Sequence, residues 1–224
     1  MIPIRDDIPT RRTPVVNYVL ITANILVFVF LFLSGPSQES LVNELALIPS
    51  NYSNGLELGD LTDIFTSMFI HAGLLHLLGN MLYLWIFGDN VEDSLGSLQY
   101  LVFYLVGGVV ASLAHFLINP GSQLPTVGAS GAIAAVLGAY LVLYPRARVA
   151  TFIPIGFFLR LTMVPASIVL GLWFVLQLFN GVLTFGATDM GGTAFWAHIG
   201  GFVAGVLLAF LFKAGRLQAR VVTW

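Results

Sequence analysis

The chain has 224 residues, 58% apolar and 9% charged, with a formal net charge of −2 and a mean hydropathy of +0.91. A soluble domain carries about 25% charged residues, so lipid is the solvent for most of this sequence. The absence of cysteine excludes disulfides, thiolate metal sites and a cysteine nucleophile.

A helical span takes about 20 apolar residues. In chain order the apolar stretches predict six spans: Val15–Leu33, Ile70–Phe87, Leu98–Ile118, Val127–Tyr144, Met163–Leu183 and Thr193–Phe212. The first outlasts a signal-peptide core and no small-residue cleavage site follows it, so it reads as a retained anchor. The connection Ser34–Phe69 carries Glu39, Glu44, Glu57, Asp60 and Asp63 but also Leu45, Leu47 and Ile48. It is expected to lie partly in the membrane interface, because a loop this long rarely stays structureless. Thr151–Leu159 is apolar but too short to span and contains Pro154 and Gly156, which predicts an interfacial hairpin.

All 9 Lys and Arg residues (Arg5, Arg11, Arg12, Arg146, Arg148, Arg160, Lys213, Arg216 and Arg220) fall on the N-terminal side of a six-span topology. The opposite connections, 34–69, 119–126 and 184–192, contain none. By the positive-inside rule both termini are cytoplasmic. A seventh span at Thr151–Leu159 would put Arg160, Lys213, Arg216 and Arg220 outside. The expected fold is an all-α membrane protein: a cytoplasmic tail over 1–14, a six-helix membrane domain over 15–213 and a cytoplasmic tail over 214–224.

Polar groups inside a bilayer are costly and tend to be functional. No Asp or Glu falls in these spans. Asp89, Glu92 and Asp93 follow the inner end of the second span and are expected to cap it. Proton-pump and carboxylate-metal readings therefore lack ligands, and neither a metal nor a cofactor is expected. The groups left to consider are His76, Asn80, His115, Ser130, Asn180 and His198, with His71 at a membrane edge. The second, fourth and sixth spans run inward. At 1.5 Å per residue His76, Ser130 and His198 each lie roughly 5–10 Å below the outer surface.

Three sequence-distant polar sites at one depth suggest one site. His76 and Asn80 stack one turn apart on one helix face. His198 shares a face with Gly201 and Gly205, a pair spaced for close helix approach. The fourth span is rich in small residues, from Gly128, Ala129 and Gly131 to Gly138. Close packing of spans four and six would bring Ser130 and His198 into hydrogen-bond range. Taken alone, the glycines equally suit plain helix packing and Gly-x-Ser-Gly is a weak signal; the shared depth favours chemistry. A serine hydroxyl becomes a nucleophile when a base takes its proton, and neutral imidazole suits that task near pH 7. No carboxylate is placed to orient His198, so the pair would be a dyad, its ring held by packing and neighbouring hydrogen bonds. Ser130 sits in the first turn of its span, where backbone N–H groups lack helical partners. Those groups, with His76 and Asn80, could face a developing oxyanion.

The segments His71-Ala72-Gly73-Leu74-Leu75-His76-Leu77-Leu78-Gly79-Asn80, Gly128-Ala129-Ser130-Gly131 and Ala197-His198-Ile199-Gly200-Gly201-Phe202 resemble the rhomboid intramembrane serine proteases. Tyr144-Pro145-Arg146-Ala147-Arg148 and Glu92 with Leu95-Gly96 add to the likeness, which runs from Asn17 to Phe212. The resemblance implies Ser130 as nucleophile, His198 as general base, His76, Asn80 and Gly128 at the oxyanion and substrate, and His71, Gly131, Gly201 and Gly205 in support. It implies transmembrane proteins as substrates, cut near their outer ends, with small residues preferred at the cut. Access would run between spans two and five under a mobile loop near Gly186–Gly192. Membrane lipid is the surrounding partner and no nucleic acid is expected; oligomeric state is not legible.

Two positions depart from the family pattern. Thr62-Asp63 stand where Trp-Arg is frequent, which puts the bonding of the first outer loop in question. Ala134 stands where some members place a Tyr against the histidine, so another group must orient His198. A catalytically silent relative that binds membrane helices would be expected to lack the serine or the histidine. A channel or transporter would be expected to carry polar groups across the whole bilayer. The short segment before the first span, without a transit-like pattern, is expected of a prokaryotic plasma-membrane protein.

Overall fold

A computed structural model describes residues 1–52, 61–156, 158–186 and 193–221. Its elements run, in order, β1 (Ile2–Asp6), α1 (Val15–Leu33), α2 (Gln38–Leu45), α3 (Leu61–Ser67), α4 (Leu74–Tyr83), α5 (Asp89–Leu95), α6 (Ser97–Ile118), α7 (Ser130–Leu143), β2 (Arg148–Ile155), β3 (Phe158–Pro165), α8 (Ala166–Leu183) and α9 (Phe195–Val221). A π-helical turn, Leu84–Gly88, joins α4 to α5 without a break. Among the described residues, four helices are long and apolar enough to cross a membrane: Val15–Leu33, Ser97–Ile118, Ala166–Leu183 and Phe195–Lys213. Their outward faces carry large exposed apolar side chains such as Leu26, Phe30, Val102, Phe179 and Leu211. This is an integral, multi-pass membrane protein.

The first predicted span coincides with α1. At the other predicted spans the helices differ at their ends for local reasons. The second starts at Leu74, after Gly73 in extended backbone, and its helical path continues to Leu95. The fourth is only 14 residues long, about 21 Å at 1.5 Å per residue. Gly128, at φ 127°, holds the chain out of helix just before Ser130, and Pro145 follows its end. The fifth begins at Ala166 rather than Met163, because Met163–Pro165 belong to β3. The sixth runs on to Val221.

The interfacial hairpin expected at Thr151–Leu159 is longer, spanning Arg148–Pro165, with Gly156 at φ 58° in its turn. Its β2 strand also pairs antiparallel with β1, giving a three-stranded sheet in the order β1-β2-β3. Ile2–Asp6 is therefore part of a sheet. The first long connection is likewise built: Leu47, Tyr52 and Ile64 are buried and pack with Val109, Leu113 and Phe116 of α6. Leu47 bridges Thr126, just ahead of α7. Glu57 and Asp60 lie outside the described residues.

Helix α7 is the centre of the bundle, with every residue from Gly131 to Tyr140 buried. It packs most extensively against α9 and then α6. A Cβ at Gly201 would overlap the Gly131 carbonyl, one at Gly205 the Ala135 carbonyl, and one at Gly138 the Phe202 carbonyl. The two helices thus meet backbone to backbone, which only glycine permits at these points.

Beneath the bundle, acidic groups tie the helix ends together. Glu92, 2% exposed, accepts hydrogen bonds from Val16 N (3.1 Å), Asn17 N (2.7 Å) and Ser97 Oγ (2.6 Å). It caps α1 across the bundle rather than its own helix, satisfying N–H groups that a first turn leaves unpaired. Asp6 accepts from the Tyr140 hydroxyl and, at 2.8 Å, from Asn90 Nδ2, pinning β1 to the bundle. Burial raises the Asp6 carboxyl above its ordinary range. Burial likewise pushes Asp89 up to about 6, and the charge of Asp6 adds in the same direction.

Replacing Glu92 with Ala strips all three bonds, at a cost of about 3 kcal/mol, and is expected to lower the detergent melting temperature by roughly 6–12 °C. An unchanged melt would show that the cap is dispensable. Asp89 supplies a pH dependence. A carboxyl raised on folding binds its proton more tightly in the folded state, so its contribution to stability falls as pH rises from about 4 through about 6 and does not return above that. Asp89→Asn, whose amide oxygen can still accept from Asn90, is therefore expected to raise the melting temperature above pH 6 and to leave it unchanged near pH 4. A gain that is equal at both pH values would contradict this.

Candidate active site

Ser130 is the first residue of α7, and His198 lies in the first turn of α9. The glycine-mediated approach of these helices brings Ser130 Oγ to 2.7 Å from His198 Nε2, across 68 positions of sequence. His198 is 7% exposed. Its other ring nitrogen, Nδ1, lies 2.8 Å from Gln177 Oε1 of α8. Trp173, one turn earlier on α8, flanks the imidazole with ring centroids 5.6 Å apart at 35°.

Ala134 is fully buried and presents no ring to His198. The groups that meet Nδ1 and flank the ring, Gln177 and Trp173, come from a different helix, α8. Gln177 lies inside the predicted fifth span but was absent from the polar set considered above, as were Asn17 and Asn24 of the first span. Its position is legible as a spacing: Leu170, Trp173, Phe174, Gln177 and Gly181 recur at helical intervals and form one face. Leu170 and Gly181 are buried, and the site of a Cβ on Gly181 faces Phe195, Trp196 and Ile199 of α9. Asn180 does not join the site; its Nδ2 donates to Leu176 O within α8 at 2.8 Å.

His76 reaches the same place from α4. Its imidazole packs on Gly128: a Cβ there would sit 2.8 Å from His76 Nε2 and 3.5 Å from Ser130 Oγ. Gly128 is thus doubly constrained, by this contact and by its positive φ, and its N–H is held by Ser67 O at 2.9 Å. Asn80, one turn beyond His76, is 8% exposed, and its Nδ2 has no hydrogen-bond partner among the described residues. His71 is buried, stands edge-on to His76 at 5.0 Å, and likewise has neither ring nitrogen bonded among the described residues. His115 lies at the same end of α6, half-buried, with Nδ1 unpaired among them. A cavity of about 20 Å³, lined in part by Ser67, Ser112, Thr126, Gly128 and Ser130, adjoins the serine.

Gly131, Gly201 and Gly205 lie on the α7–α9 contact. A Cβ at Gly131 would also crowd Ala111 of α6, at 2.7 Å. The Thr62-Asp63 departure has a local solution: the Tyr52 hydroxyl donates to Asp63 Oδ2, and Thr66 Oγ1 donates to Leu45 O at 2.7 Å. The loop expected at Gly186–Gly192 lies, beyond Gly186, outside the described residues.

The chain is 30% identical over 213 residues to the Rhomboid protease GluP of Bacillus subtilis (strain 168), covering 94% of this chain and 38% of that protein. It is 36% identical over 92 residues to the mitochondrial presenilin-associated rhomboid-like protein of Mus musculus and over 91 residues to that of Homo sapiens, 24% of each. The chain therefore spans well under half the length of these relatives. The Rhomboid domain family matches residues 58–215, more than half of the chain. This chain belongs to the rhomboid family.

Proposed function

We propose that the protein is an intramembrane serine endopeptidase that cleaves transmembrane helices of other membrane proteins near the outer face, through an acyl-enzyme on Ser130. The observation that carries this reading is the 2.7 Å contact between Ser130 Oγ and His198 Nε2 within a bundle of apolar helices. Membership of the rhomboid family supports it. Six spans are assigned to α1, α4 with its π-helical turn through Gly88, α6, α7, α8 and α9, with both termini cytoplasmic and the dyad toward the outside. The distribution of the 9 basic residues supports that orientation.

In this mechanism the Ser130 proton passes to His198 Nε2 as Oγ attacks the scissile carbonyl carbon. The carbonyl electrons move onto oxygen. That oxyanion faces the unpaired N–H groups of the first turn of α7, the Asn80 amide and His76. As the tetrahedral species collapses, the C–N bond breaks and His198 returns its proton to the leaving amine. A water then gives a proton to His198 and attacks the ester, releasing a carboxylate and restoring the Ser130 hydroxyl. The cavity beside Ser130 has room for one such water. His71, packed edge-on to His76, supports the junction ahead of α4. Gly128 gives His76 its place, and Gly131, Gly201 and Gly205 hold the helices that carry the dyad.

A fluorescent fluorophosphonate tests the reading without a known substrate. Purified wild type is expected to label, and Ser130→Ala and His198→Ala to lose at least ~10³-fold in rate. Folded wild type that does not label would favour a protein that binds helices without cutting them. The topology is tested separately, because the chain has no cysteine. An impermeant maleimide on intact cells is expected to modify Gln123→Cys, and Arg11→Cys only after permeabilisation. The reverse pattern would invert the assigned orientation.

A further inference from the structure

We propose that Gln177 is a positioning residue for His198: its amide oxygen selects the imidazole tautomer that can accept the Ser130 proton, and so makes the dyad depend on the docking of α8. The inference rests on the reading of Ser130 and His198 as a catalytic pair.

A neutral imidazole has one N–H and one lone pair. To take the serine proton, Nε2 must present the lone pair, so the proton must sit on Nδ1. A buried N–H needs an acceptor, and the acceptor here is Gln177 Oε1 at 2.8 Å. The opposite amide orientation would donate to Nδ1 and put the ring proton on Nε2. Nε2 would then donate to Ser130 Oγ instead of accepting from it. One amide rotation thus separates a competent dyad from an incompetent one.

The same helix holds the ring face. Trp173 lies beside the imidazole and also packs on Phe202 of α9, with ring centroids 6.1 Å apart. One turn after Ser130, helix α7 presents the small Ala134, so the Nδ1 edge and the flanked ring face are both held by α8. Yet α8 carries neither reacting atom. Its opposite side bears exposed Ile168, Leu172, Val175 and Phe179, and its main helical partner is α9. Ser130 and His198 are held by the glycine-mediated α7–α9 contact, which does not involve α8. A displacement of α8 would therefore leave the two helices of the dyad together while removing the groups that orient the base.

The test uses the full-length protein in detergent and measures how the fluorophosphonate labelling rate saturates with probe concentration. Gln177→Met keeps the length, the lack of branching and the helix preference while removing the acceptor. It is expected to lower the maximal labelling rate on the order of 10²-fold, leaving the half-saturating probe concentration and the melting temperature unchanged. Gln177→Glu restores an acceptor oxygen and is expected to label at the wild-type rate or faster. A purely structural role would not be rescued by Glu in this pattern. Wild-type labelling in Gln177→Met, or a Gln177→Glu variant as slow as Gln177→Met, would overturn the proposal while leaving the dyad intact. Wild type that fails to label would sink the dyad reading instead, and this inference with it.

Discussion

The structure depends on how closely α7 and α9 approach. In lipid there is no hydrophobic gain from pressing one apolar helix against another, so association comes from packing and hydrogen bonds. Here glycine lets backbone meet backbone: Gly201 lies on the Gly131 carbonyl, Gly205 on that of Ala135, and Gly138 on that of Phe202. A methyl group at any of these points would part the helices. The dyad distance is set by the same contact, because Ser130 adjoins Gly131 and His198 lies one turn before Gly201. Enclosure also frees α7 from matching the thickness of the bilayer. It can be short, and its polar first turn can sit inside the molecule.

Polar groups are paired unevenly through the bundle. Away from the site, Glu92, Asn17 and Tyr100 form one bonded group and Asp6, Asn90 and Tyr140 a second, in which Asn90 Oδ1 is the atom left unpaired among the described residues. Tyr100 donates to Asn17 Oδ1 at 2.8 Å, and Asn17 Nδ2 donates to Leu84 O at 3.0 Å. A charge such as Glu92 is tolerable there because three donors surround it. Toward Ser130, His71, Asn80, His115 and Trp196 each keep a buried nitrogen without a partner among the described residues. Native interiors usually pair such groups. Unspent donors and acceptors beside a serine and histidine are what a reaction that develops charge and consumes water requires.

Hydropathy made the helices legible, because lipid imposes a length and a composition that survive any detail of packing. It was weaker at their ends. The late start of α7 depends on the backbone of Gly128 and its hydrogen bond to Ser67 O, and the late start of α8 on the pairing of Met163–Pro165 in β3. Neither is visible in apolar content. The pairing of β1 with β2 joins segments more than 140 positions apart and has no local signature. That Ser130, His198 and His76 come together was legible because their expected depths agree and a family pattern joins them. Gln177 was not, since an uncharged amide is easily lost in an apolar helix. Its meaning appears only once the face of α8 that meets α9 is known.

That the orienting group is an amide rather than a carboxylate follows from where it sits. A carboxylate would select the same tautomer and would also stabilise the imidazolium formed as Ser130 attacks. Half-buried on a membrane helix, however, it would carry a desolvation cost whenever the histidine is neutral, that is, throughout the resting state. The amide supplies the acceptor without the charge. The dyad gives up part of the stabilisation of its charged intermediate and keeps a resting site that the surrounding lipid tolerates. The flanking Trp173 compensates in part, because an aromatic face beside an imidazolium is attractive when water is excluded. Both groups come from α8, so orientation of the base and stabilisation of its charged form are lost or gained together as that helix docks.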